Sequence, residues 1–268
     1  MARRPKLGQH FLSDARVRQR IVESIPLRAE DLVIEIGPGQ GAMTGLLAAR
    51  AQRVVAIELD APLAEQLERR LHGDPRVEVV RGDILATDLA AICRRHQAED
   101  CFVFGNLPYY ITSPILHHLF RQREAIRGMA LLVQREVAER ITAAPGSRAR
   151  GYLSVLAQLY SEPRLAFSVR PGAFSPPPKV QSALVQFEMT DRPLAAELQA
   201  VDAEEFLEFV KLCFAQKRKS VLNNLAEDFG RETTERTLTS LGWARSLRAE
   251  QLSLSQLARL YARLQAPS

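Results

Sequence analysis

Short apolar runs alternate with longer segments of helical period, and this alternation limits the possible folds more than any other feature of the chain. The runs fall at 32–36 (LVIEI), 53–57 (RVVAI), 77–80 (VEVV), 101–104 (CFVF) and 128–133 (GMALLV). Helical patterns fall at 42–51, 60–72, 88–97, 113–124, 134–143 and 151–161. A strand that returns through a helix to the next strand pairs with it in parallel, with helices covering both faces of the sheet. Two more runs, 164–169 (RLAFSV) and 180–188 (VQSALVQFE), have no helix between them, only ten residues rich in proline. They are read as an antiparallel addition. The expected fold is α/β: a Rossmann-like sheet of seven strands, mostly parallel, with an antiparallel last strand.

Strand signals end near Asp191-Arg192-Pro193. Helical patterns follow at 203–215, 217–228, 231–241 and 249–264, the last with Leu252, Leu254, Leu257, Leu260, Tyr261 and Leu264 near helical spacing. The reading therefore divides the 268 residues into an α/β domain at 1–191 and a small all-helical domain at 192–268. With 46% apolar and 25% charged residues, the composition excludes wholesale disorder. The net charge of +5 lies wholly within residues 1–28, where Arg3, Arg4, Lys6, Arg16, Arg18, Arg20 and Arg28 face only Asp14 and Glu23. Charge gathered at one end suggests an arm for a polyanion. Cys93, Cys101 and Cys213 lack metal or disulfide spacing and read as reduced thiols in a cytoplasmic chain. No apolar run approaches the ~18 residues of a membrane span.

The strand ends carry the chemistry. Run 32–36 passes into Gly37-Pro38-Gly39-Gln40-Gly41, where glycines permit a sharp turn and close approach of a ligand. The spacing is not that of dinucleotide sites, and Glu35 would disfavour a pyrophosphate but suits a ligand bearing a cation. Glu58, 19 residues beyond Gly39, ends the second strand, where an acid can take both ribose hydroxyls of a nucleoside. Asp60 is instead read as a helix N-cap, with Pro62 in the first turn. Asp83, after the third strand, can accept from an adenine amino group or cap a turn. Together these describe a nucleoside pocket that S-adenosylmethionine fits best.

The fourth strand runs into Asn106-Leu107-Pro108-Tyr109. The Asn106 side chain and the Leu107 carbonyl offer two acceptors, and Tyr109 offers a flat ring. Two acceptors on the exocyclic N6 of adenine would localise its lone pair for in-line attack on a methyl sulfonium, by positioning and electrostatics rather than a strong base.

These residues resemble the ribosomal RNA adenine N6-dimethyltransferases, specifically the bacterial small-subunit (16S) type. The resemblance covers nearly the whole chain. It runs from Lys6-Leu7-Gly8-Gln9-His10-Phe11-Leu12 through Glu35–Gly41, Glu58-Leu59-Asp60, Gly82-Asp83 and Asn106–Tyr109. It continues through Phe174-Ser175-Pro176-Pro177-Pro178-Lys179-Val180 to Phe214-Ala215-Gln216-Lys217-Arg218-Lys219. The resemblance implies dimethylation of two adjacent adenosines in the 3′-terminal hairpin loop of 16S rRNA, in the 30S subunit or its precursor. The donor would be S-adenosylmethionine, with no metal, no membrane and a monomeric enzyme. Carried over by position, His10, Leu12, Gly37, Gly39, Glu58, Asp83 and Asn106 would line the cofactor site. Asn106, Leu107, Tyr109 and Phe174 would hold the target adenine, with Phe174 stacking opposite Tyr109. Two positions depart from the family: His10 stands where many members have Asn, and Tyr110 where Asn is usual.

Other basic residues admit RNA contact or bland surface roles. Arg148 and Arg150 flank a Pro-Gly-Ser loop and are read toward phosphate. Lys211 and Lys217–Lys219 serve equally as a phosphate clamp or a solvated helix face. The adjacent His117 and His118 point apart on a helix and make a poor metal pair. Two other functions stay open: a large-subunit methyltransferase of the antibiotic-resistance type, and a non-catalytic ribosome assembly factor.

Overall fold

The computed structural model describes residues 10–190 and 202–266. Lys6–Gln9 of the N-terminal motif, Arg3, Arg4 and the expected domain boundary at 191/192 lie outside them. In chain order the first elements are β1 (Phe11–Leu12), α1 (Ala15–Ser24), β2 (Leu32–Ile36), α2 (Thr44–Ala48), β3 (Arg53–Glu58), α3 (Ala61–Arg70) and β4 (Val77–Arg81). Then come α4 (Leu89–Arg95), β5 (Cys101–Asn106), α5 (Thr112–Arg121), β6 (Ile126–Gln134), α6 (Arg135–Ile141) and α7 (Tyr152–Tyr160). The last are β7 (Ser161–Val169), β8 (Phe174–Ser175), β9 (Ser182–Met189), α8 (Ala203–Cys213), α9 (Val221–Phe229), α10 (Arg231–Ser240) and α11 (Leu254–Gln265).

Seven strands form one sheet in the order β4-β3-β2-β5-β6-β9-β7. Pairing is parallel from β4 through β6, and β9 runs antiparallel to β6. The order reverses between β2 and β5, the point at which an open α/β sheet leaves a crevice at its carboxyl edge. β2 is buried along its whole length, and Val54, Val55, Val103, Leu131 and Val133 have no exposed surface. That is the continuous apolar signature of strands covered on both faces.

Caps account for several helix starts. The Asp60 carboxylate accepts the Leu63 N–H at 3.1 Å, with a proline in the first turn of α3. The Asp88 carboxylate accepts the Ala91 N–H at 2.9 Å. Asp14 caps α1, accepting from Arg16 and Val17 at 2.8 and 3.1 Å.

α1 revises the picture of a basic arm. Ile21 and Val22 of this helix are buried in the core. The Arg18 guanidinium donates to the carbonyls of Leu12 and Ser13 at 3.2 Å, and the Arg20 guanidinium lies 4.0 Å from the centre of the Phe167 ring. Among the four of these basic residues that are described, Arg18 and Arg20 are thus engaged with the protein itself.

By density of contacts the chain separates into two compact units, one holding residues 1–138 and 163–189, the other 139–162 and 190–268. The sequence reading places 139–162 in the α/β domain; the structure groups it with the C-terminal helices. Arg150 supplies a physical reason. It is 1% exposed, and its guanidinium donates to the Leu252 carbonyl (3.0 Å), the Ala143 carbonyl (2.9 Å) and Gln158 Oε1 (2.8 Å). This arginine is therefore not a surface contact for phosphate. Arg148 is exposed. Within the second unit, Phe206, Phe209, Phe229 and Tyr261 pack with ring centroids 5.0–6.4 Å apart. The segment Lys217–Lys219 is an exposed turn, not the start of a helix; α9 begins at Val221, capped by Ser220. No described helix is long and apolar enough to cross a membrane.

Candidate active site

A cavity of about 830 Å³, including its open mouth, lies at the carboxyl ends of β2, β3, β4 and β5. Six of the seven residues expected at the cofactor line it: His10, Gly37, Gly39, Glu58, Asp83 and Asn106. So do Leu107 and Tyr109 of the expected adenine site, together with Phe11, Leu59, Ile84, Pro108, Tyr110, Ile111 and Ile115.

Glu58 sits at the tip of β3 and is 2% exposed. Its Oε2 accepts the Gly39 N–H at 2.9 Å and its Oε1 the Asp60 N–H at 3.0 Å. Each oxygen keeps a second lone pair, the arrangement that two adjacent ribose hydroxyls need. Gly39 has φ +54°, and a Cβ there would come within 2.6 Å of the Phe11 ring. Only glycine lets the loop and the segment at Phe11 approach so closely. Gly37 has open space where a Cβ would stand, room of the kind a ligand fills. Asp83 spends Oδ1 on the Leu85 N–H at 2.9 Å, so it caps a turn while it lines the cavity.

Glu35 is not among the lining residues. It is 2% exposed, its Oε2 has no hydrogen-bond partner, and burial pushes its carboxyl up to about 7, with the nearby Glu58 adding to the rise.

Asn106 ends β5, and its Nδ2 donates to the His10 carbonyl at 2.9 Å. That bond uses the amide's donor side and leaves Oδ1 as an acceptor. His10 Nδ1 lies 2.8 Å from the Pro176 carbonyl. A carbonyl only accepts, so Nδ1 carries the proton and, in the neutral ring, Nε2 is the acceptor. The His10 ring lies 5.8 Å from that of Tyr109, at 30° between planes. The Tyr109 hydroxyl pairs with Ser182 Oγ at 2.7 Å. Burial pushes the phenol up from its ordinary value, against the pull of the Ser182 bond.

Leu12 and Phe174 do not line the cavity. They face each other in the two-stranded ribbon of β1 and β8, each 3% exposed and part of the apolar core. Alternation along the ribbon sends Leu12 and Phe174 to the core side, while Phe11 lines the cavity. Sequence reasoning missed this ribbon, because two-residue strands carry no periodic signal. It also missed Ser182, whose partner lies 73 residues earlier. No group of three or more His, Cys, Asp or Glu suited to a metal occurs among the described residues.

A sheet of this order, with a glycine loop, an acid at the second strand tip and a strand-end Asn-Leu-Pro-Tyr at one cavity, defines a methyltransferase of the Rossmann-like class. The model of the family "Ribosomal RNA adenine dimethylase" matches residues 1–266, and the chain belongs to that family. It is 45% identical to "Ribosomal RNA small subunit methyltransferase A" of Acidobacterium capsulatum, over 98% of this chain and 91% of that one. It is 41% identical to the protein of that name from Latilactobacillus sakei, over 95% and 87%. Among solved structures it resembles the 23S rRNA methyltransferase ErmE, at 30% identity and a TM-score of 0.71, over 96% of this chain and all of that one. It shares its fold with a dimethyladenosine transferase from Plasmodium falciparum, at a TM-score of 0.76 and 22% identity, over 94% and 96%.

Proposed function

We propose that this protein uses S-adenosylmethionine to dimethylate N6 of two adjacent adenosines in the 3′-terminal hairpin loop of 16S rRNA, on the 30S subunit or its precursor. The observation that carries the reading is the Asn106–His10 bond, which leaves the amide oxygen as the acceptor beside Tyr109 on the cavity wall. The small-subunit reading is favoured over a large-subunit one by the higher identity to small-subunit relatives.

The residues present suit the cofactor. Glu58 would hold the ribose, Asp83 the adenine amino group, and Gly37 and Gly39 would admit the ligand against the backbone. The buried Glu35 behind the loop favours a cationic ligand. When bound, S-adenosylmethionine supplies an electrophilic methyl group. Asn106 Oδ1 and the Leu107 carbonyl would accept the two N6 hydrogens and draw the nitrogen lone pair out of the ring. Tyr109 would stack on the base, an interaction worth about 1–3 kcal/mol that offsets extrusion from the loop. Phe174 reaches a base only if the β1–β8 ribbon opens; in the closed ribbon Tyr109 is the stacking surface.

The test is methyl transfer from labelled S-adenosylmethionine to under-methylated 30S subunits, with nucleoside analysis. N6,N6-dimethyladenosine is expected, and Asn106→Ala should abolish it while leaving the fold. Transfer to free 23S RNA instead would favour the large-subunit reading. Subunit binding without turnover would favour an assembly factor.

A further inference from the structure

Tyr109 is held by two constraints that do different things. A tyrosine ring turns about an axis that passes through its own hydroxyl. A bond to that hydroxyl therefore fixes where the axis points but not how the ring is turned about it. Ser182 Oγ, 2.7 Å from the hydroxyl, fixes the direction. The His10 ring, 5.8 Å away and tilted by 30°, limits the turn.

Ser182 is well placed for this task. It opens β9 opposite Gln134 of β6, so its backbone belongs to the central sheet. It has no exposed surface. Its neighbour on the same face, Leu184, is fully buried in the core. Tyr109, by contrast, follows a strand end in a turn with no ladder to hold it. A buried serine on a fixed strand thus carries the rigidity of the sheet out to a ring on the cavity wall.

We infer that Ser182 is a positioning residue that sets the direction of the Tyr109 ring and so prepares the stacking surface for the target base. The inference rests on the proposed function and assigns that site a residue from outside the cavity lining. A stacking ring that must be immobilised on each encounter loses the free energy of ordering one side chain, which corresponds to about three- to tenfold in efficiency.

The test is a double-mutant cycle. Ser182→Ala and Tyr109→Phe should each lower kcat/KM for the RNA about three- to tenfold, with the S-adenosylmethionine Kd within about twofold of wild type. Tyr109→Phe removes one hydroxyl from a half-buried side chain, so folding does not confuse the result. The double variant should be no worse than either single one. Additive losses, full activity of Tyr109→Phe, or a loss of cofactor affinity would each overturn the inference. A second readout needs no substrate: ¹³C-tyrosine NMR of the free protein should show one fixed Tyr109 environment that becomes averaged in Ser182→Ala. An unchanged signal overturns the positioning role. Failure of the wild type to transfer methyl groups would sink the functional reading alone, while the NMR comparison still decides this one.

Discussion

Glu35→Gln should stabilise this protein at pH 8. The side chain is 2% exposed, and one carboxyl oxygen finds no hydrogen-bond partner. Burial raises the carboxyl from 4.5 to about 7; Thr44 opposes the rise, the neighbouring Glu58 reinforces it, and Arg70 opposes it more weakly. The folded chain therefore keeps a proton between about pH 4.5 and 7 that the unfolded chain has released. A carboxyl raised on folding favours the native state fully below the unfolded value, and that advantage is lost as pH rises through the folded one. A tenfold change in proton affinity corresponds to about 1.4 kcal/mol, so this carboxylate costs about 3 kcal/mol at pH 8. Glutamine keeps the shape and stays neutral. Urea unfolding of wild type and Glu35→Gln at pH 8 should differ by about 3 kcal/mol in favour of the variant, shrinking to less than about 1 kcal/mol at pH 5. A difference that is independent of pH, or a more stable wild type at pH 8, would refute the reasoning. The cost also has a direction for binding: a cationic ligand near this carboxylate should lower its pKa, so S-adenosylmethionine binding at pH 7 should release a proton. Calorimetry in buffers of different ionisation enthalpy measures that release.

Arg150→Ala should cost the second unit about 2–4 kcal/mol, because it strips the Leu252 carbonyl and Gln158 Oε1 of their donor inside the fold. The Ala143 carbonyl keeps the Gln158 amide at 3.0 Å and is not orphaned. A shift below about 1 kcal/mol in chemical unfolding would count against this role. Gly39→Ala should weaken S-adenosylmethionine binding by tenfold or more, since the new methyl group meets the Phe11 ring and strains a φ of +54°. Equilibrium dialysis measures it, and unchanged affinity would contradict the close packing of that loop.

Much of this arrangement was legible because it is local or periodic. The seven strands followed from apolar runs separated by helical patterns, and Asp60 as a cap followed from Pro62 beside it. Glu58, Asp83 and Asn106 could be placed at the cavity because each lies at or just past a strand end at the carboxyl edge. Residues whose fate depends on distant partners were not legible. Arg150 looks like a surface cation because one of its three acceptors, the Leu252 carbonyl, lies 102 residues away and the two nearer ones carry no sequence pattern. Phe174 looks like a stacking ring because nothing local shows that β1 covers it. The helix over Ala15–Ser24 was hidden by its charge: arginines at 16, 18 and 20 obscure the apolar face of Ile21 and Val22.

The segment at His10 and Phe11 also bears on how the chain is made. Its partners are Ser175 of β8 and Pro176 just after it, some 165 residues further along. Synthesis from the N-terminus delivers the glycine loop, Glu58 and Asn106 long before those partners exist. His10 and Phe11 can meet these partners, and Ser182 can bond to Tyr109, only when β8, Pro176 and the start of β9 have emerged. These contacts therefore become available only after most of the first unit has been made.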